Sequence, residues 1–144
     1  MSDDDGSAAL EFITVGLLLL VPLVYLITAL GVIQQSTLGA EAAARHTARV
    51  ISLADGPEAA ATRGDLVLRE VIDEYGLDAD ATRVAISCAP AGAGCPAAGA
   101  TLTVTVVTRA GLPLVPPVFG LDGATAVPIE ATAVMTISRS WGAR

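Results

Sequence analysis

The chain contains no lysine: all eight of its basic residues are arginine, set against 15 acids for a formal net charge of -7. So few and so scattered cations cannot form the basic stripe that neutralises phosphates, and nucleic acid is not an expected partner. Histidine occurs once, as His46, and cysteine twice, as Cys88 and Cys95. A metal site would want more ligands than these supply. No nucleophile elbow, glycine-rich phosphate loop or metal-ligand cluster occurs either, so no enzyme, cofactor or metal is expected. The most local absence is of charge, which is missing entirely from Phe12 to Ile33.

What fills that gap is Ile, Leu, Val and Ala, interrupted only by Thr14, Gly16, Pro22, Tyr25, Thr28 and Gly31. The segment lifts the apolar content of the 144-residue chain to 53% and its mean hydropathy to +0.63. At about 1.5 Å per residue it reaches roughly 33 Å, enough to cross a hydrocarbon core of about 30 Å with some tilt. The sequence therefore predicts a membrane-spanning helix at residues 12–33. A cleaved secretory signal would have a shorter apolar region after a basic start, whereas this start carries Asp3, Asp4 and Asp5. The nearest basic residues, Arg45 and Arg49, follow the span, and the positive-inside rule taken alone would place the N-terminus outside.

Helical character continues past Ile33. The stretch QQSTLGAEAAARHTARVISLA is rich in strong helix formers, pairs Glu41 with Arg45 at i,i+4, and meets no proline until Asp55-Gly56-Pro57. One long helix over residues 7–54 is expected, with Pro22 favouring a kink inside it. Gly31, Ser36, Gly39, Ala40, Ala43 and Ala44 would let another backbone approach closely, whether a sheet or a sister subunit. A second short helix is predicted at 57–76, opened by Pro57, striped by Leu68, Val71, Ile72 and Tyr75, and capped by Gly76.

The remainder alternates in the period of two expected of half-buried strands, near 83–88, 100–109 and 127–138. On the last run Ile129, Ala131, Ala133, Met135 and Ile137 share a face. Three antiparallel strands need a cover, and the outer half of the long helix is the obvious one. The fold class is thus α+β: a long transmembrane helix running into a small domain at 55–144. The connection GLPLVPPVFGLDG at 111–123 cannot be a central strand, and reads either as packing along the helix or as an apolar contact surface.

Cys88 and Cys95 flank a small loop, and a disulfide, a metal pair or a redox pair is open to them. Their spacing is not C-x-x-C and further ligands are lacking. In an extracytoplasmic domain a bridge is favoured, closing a loop of about eight residues worth roughly 2.5 kcal/mol on the chain-entropy model. His46, beside Arg45 and near Arg49, reads as a solvated helix residue.

Glu11 stands at the lip of the apolar run with no Arg, Lys or His within two turns. A carboxylate in lipid costs up to about 2 to 3 kcal/mol and so needs a partner. The stretch GSAALEF at 6–12 with the apolar helix behind it resembles the class III signal of type IV pilin-like proteins. More closely, it resembles the TadE-like minor pseudopilins of the Tad (Flp) pilus system. AGLPLVPPVFGLDGATAVPIEATAVMTI also resembles the final strands of actinobacterial TadE-like proteins.

That resemblance implies cleavage between Gly6 and Ser7 by a membrane-bound prepilin peptidase on the cytoplasmic side, removing a leader at 1–6. Glu11 becomes the fifth residue of the mature chain, able to pair with the new ammonium of a neighbouring subunit, with Phe12 beside it in the contact. Other pilin-like subunits and Tad membrane assembly proteins are the implied partners. The implied topology is single-pass, with the N-terminus cytoplasmic and the C-terminal domain extracytoplasmic. Prepilin leaders usually carry Lys or Arg where this one carries three aspartates. Major Flp pilins are much shorter chains, so the length points to the minor class; an unprocessed single-pass anchor presenting a binding module is the alternative.

Overall fold

The computed structural model describes residues 5–90, 94–113 and 126–143. Five elements follow in chain order: α1 Asp5–Leu53, α2 Pro57–Tyr75, β1 Arg83–Ala89, β2 Thr101–Gly111 and β3 Ala126–Thr136. The layout is α+β, with a long apolar N-terminal helix, a second helix and a three-stranded antiparallel sheet.

At 49 residues α1 is about 73 Å long and stays helical through Pro22. It starts two residues before Ser7, at Asp5. Residues 1–4 of the expected leader lie outside the described residues. The chain reverses at Ala54–Gly56, and α2 opens on Pro57, whose missing N–H costs nothing in a first turn. It closes at Gly76, which adopts φ 62°, a left-handed cap that glycine takes without strain. The cap leaves the Leu77 N–H donating to Ile72 O at 2.9 Å.

The sheet is a meander ordered β1-β2-β3. Its strands differ from the alternation-based ranges because pairing, not hydropathy, sets where they stop. Ala110 and Gly111 remain in the ladder opposite Val127 and Ala126, so β2 runs beyond Arg109. At the other end Thr101 pairs with Thr136 and β3 finishes there. Ile137 is nevertheless fully buried, its N–H bonded to Ala100 O at 2.9 Å. Pro128 is tolerated because β3 is an edge strand, where a residue without an N–H need not interrupt a second ladder.

One sheet face carries the core. Leu102, Val104 and Val106 of β2 and Ile129, Ala131 and Ala133 of β3 are buried against Ala40, Ala43, Ala44, Ala48 and Ile51 of α1. Each fully buried Leu, Val or Ile contributes about 1.5–3 kcal/mol, while the alanines contribute little area but allow the helix to lie close. α2 folds back along α1, so that Gly64 meets Ile51 near the turn and Gly39 meets Tyr75 at the far end. Gln35 Nε2 reinforces that far end by donating to Tyr75 O at 3.1 Å.

The contact at Gly39 is the tightest of these. A Cβ there would lie 2.8 Å from Tyr75 Cβ and 3.1 Å from Leu77 Cδ2, whereas one on Gly31 would meet nothing within 4 Å. Gly39→Ala is expected to lose about 1–3 kcal/mol by overpacking, even though alanine in a helix interior ordinarily gains about 0.5–1 kcal/mol over glycine. Gly31→Ala is expected to be neutral or stabilising. Thermal unfolding of the full chain in detergent micelles, followed by circular dichroism, separates the two; equal midpoints would contradict the close approach of α2.

Candidate functional site

Two regions carry features that folding alone does not require: the bare first half of α1 and the small domain around the cysteine loop. From Leu10 to Leu30 the large apolar side chains of α1 stand in the open, Phe12 at 80% and Leu10 at 68% exposure. The first residue in this half to be buried is Ala29, and Tyr25 is half-buried one turn before it. Within the described residues this is the one helix whose length and composition would suit a membrane crossing.

Its threonine hydroxyls are already satisfied. Thr14 Oγ1 donates to Leu10 O at 2.7 Å, and Thr28 Oγ1 donates to Val24 O at 3.0 Å and to Tyr25 O at 2.9 Å. The exposed face therefore offers almost nothing polar to its surroundings. Glu11 is the exception: it is exposed, and among the described residues no basic side chain pairs with it. Gly6 and Ser7 sit in the first turns of α1, immediately before this face. Pro22 removes the N–H that would bond Leu18 O, yet the helix is uninterrupted there.

Beyond Ile33 the charged pairs are surface pairs. Arg45 Nη2 lies 2.7 Å from Glu41 Oε2, and Arg63 Nη2 lies 3.6 Å from Asp55 Oδ2, all of them well exposed. Such pairs are worth little, about 0–1 kcal/mol, and mark solvated faces rather than chemistry. His46 is likewise exposed. Among the described residues no group of three or more His, Cys, Asp or Glu could hold a metal.

Cys88 and Cys95 are joined in a disulfide, with Cα atoms 5.6 Å apart. Cys88 points to the core face of β1, opposite Leu102, so the bridge ties the end of that strand to the segment leading into β2. Residues 91–93 of the loop, and 114–125 of the proline-rich connection, lie outside the described residues.

Sequence reasoning missed one feature. α1 covers β2 and β3, but α2 does not close onto β1, and an open groove of about 800 Å³ remains between them. Thr47 and Ile51 form its floor, Ala60, Gly64 and Leu68 of α2 one wall, and Val84 and Ile86 of β1 the other. Its only legible sign was Ile86, a large apolar residue on a short strand. Comparison of the chain with models of known families, with curated proteins and with solved structures returns no match.

The bridge yields a direct expectation. The intact protein should weigh two mass units less unreduced than reduced, and Cys95→Ser should cost about 2–3 kcal/mol on the chain-entropy model. Free thiols in protein recovered from the cell envelope, by mass spectrometry after alkylation, would contradict the bridge.

Proposed function

We propose that the chain is a minor pilin-like subunit, a TadE-like pseudopilin acting in assembly or initiation of a Tad/Flp-type pilus, and not an enzyme. The observation that carries this is Glu11. It is the only charged residue between Asp5 and Glu41, placed one residue before the apolar face begins in earnest and directly behind the GSAAL stretch. A lone acid in that position is costly in lipid unless a cation meets it. Cleavage between Gly6 and Ser7 by a prepilin peptidase supplies one, the new ammonium of Ser7 on a neighbouring subunit.

In this function α1 crosses the membrane once, and Phe12 packs beside the Glu11 pair. The leader faces the cytoplasm and the sheet domain lies outside. The Cys88–Cys95 bridge supports that orientation, because disulfides persist in oxidising compartments. It outweighs the opposite hint from Arg45 and Arg49, since the charge rule biases insertion without dictating it. The carboxylate then sets axial register: every wrong offset leaves a charge unpaired in lipid.

N-terminal sequencing of the protein purified from its native membrane is expected to begin at Ser7. An intact Met1 would instead favour an unprocessed anchor carrying a binding module. Glu11→Gln is expected to be processed normally but to reduce incorporation into the pilus at least about tenfold, the equivalent of one lost charge pair of roughly 1.4 kcal/mol or more. Normal assembly of that variant would remove the carboxylate from the mechanism.

A further inference from the structure

The two edges of the sheet are not alike. β3 is guarded: it carries Pro128, which cannot donate to a ladder, and Glu130, whose charge discourages a neighbour. β1 has neither. From Val84 to Ala89 it holds no proline and no charge, and among the described residues it pairs only with β2, which leaves every second N–H and C=O on its other side without a strand partner there. The groove under α2 opens along that same edge, and Ile86 on its wall is 46% exposed. α1 thus covers β2 and β3, and α2, packed on α1 alone, leaves room beside β1 for one more strand.

We propose that β1 accepts an extended segment of another protein as a fourth, antiparallel strand, its alternate apolar side chains filling the groove beneath α2 and an acidic residue meeting Arg83. The charges select this occupant. The one charged pair at the groove, Asp65 with Arg69, is already neutralised within α2, so the interior calls for uncharged side chains, apolar ones with at most a hydroxyl for Thr47 Oγ1, buried on the floor without a partner among the described residues. Arg83, at the open end of β1, has no carboxylate partner among the described residues, so that end calls for an acid. Across the opposite sheet face the new strand lies beside Ala85 and Ser87, where small neutral side chains suffice.

Charge argues against a second copy of this chain. Its own β1, RVAISCA, holds no acid to meet Arg83. A strand from another protein can supply one. Main-chain hydrogen bonds then give affinity, and the groove gives specificity for alternating apolar residues.

The test uses the full chain in detergent micelles and a short acetylated, amidated peptide that alternates valine with threonine and ends in aspartate. Backbone amides of β1 should gain protection from hydrogen exchange, and Ile86 methyl resonances should shift. Ile86→Lys, at a half-exposed position that should leave the fold intact by circular dichroism, is expected to weaken binding about tenfold. Arg83→Glu should weaken it a few-fold and transfer preference to a peptide ending in lysine. Absence of β1 protection at millimolar peptide, or binding unaltered by Ile86→Lys, would overturn the proposal. So would protection that rises with the protein's own concentration without peptide, which would assign the edge to a second copy.

Discussion

The small domain depends on how closely α1 can approach two other elements at once. Its sheet-facing side is almost entirely alanine, with Ala40, Ala43, Ala44 and Ala48 buried to within 1% of completely. Its α2-facing side uses Gly39 against Tyr75, while α2 returns the favour with Gly64 against Ile51. Larger residues at these places would push the layers apart and open voids that cost stability in proportion to their volume. The bulk of the core accordingly comes from the other partner, from Leu102, Val104, Val106 and Ile129 on the strands.

The same helix is built on a different logic before Ala29. There the large residues project outward in every direction and the hydroxyls of Thr14 and Thr28 are folded back onto the helix's own carbonyls. A helix apolar all round is not stabilised by water; its exposed surface must be covered by something equally apolar. Within one continuous element the chain thus changes from a surface that wants an outside apolar environment to one that supplies its own core. The change falls between Ala29 and Ala40, through a stretch holding Gln34, Gln35 and Ser36, residues suited to an aqueous boundary.

Much of this was legible beforehand, because each element is announced by a period or a punctuation mark. Pro57 and Gly76 bracket α2, and the alternation of Thr with Leu and Val writes out β2 together with its buried face. Strand ends were less legible, since Thr101, Thr136 and Gly111 owe their state to partners far away in sequence. The groove was legible only in Ile86, a large apolar residue on a short strand. It arises because α2 packs on α1 and not on β1, which neither Gly64 nor Val84 signals by its type or spacing. Sequence favoured a bridge over a metal or redox pair for the two cysteines, by elimination and spacing, and proximity in space, 5.6 Å between Cα atoms, joins them.

Continuity of α1 links the two ends of the molecule mechanically. Glu11 and Ala40 are separated by about 44 Å of unbroken helix, and from Ala40 onward that helix is clamped between sheet and α2. In the proposed membrane setting, whatever fixes the depth of Glu11 therefore fixes the height of the sheet domain and the direction in which the β1 edge faces. Pro22 is the single residue in between that weakens the ladder, by removing the bond to Leu18 O. Bending there would change the tilt of the domain without changing its internal packing, because the core residues and Val32 and Ile33, which pack against them, all follow Pro22. Placing the one acid of the apolar half at one end, the helix's only proline in the middle and all the close packing at the other keeps axial register and domain integrity physically independent of each other.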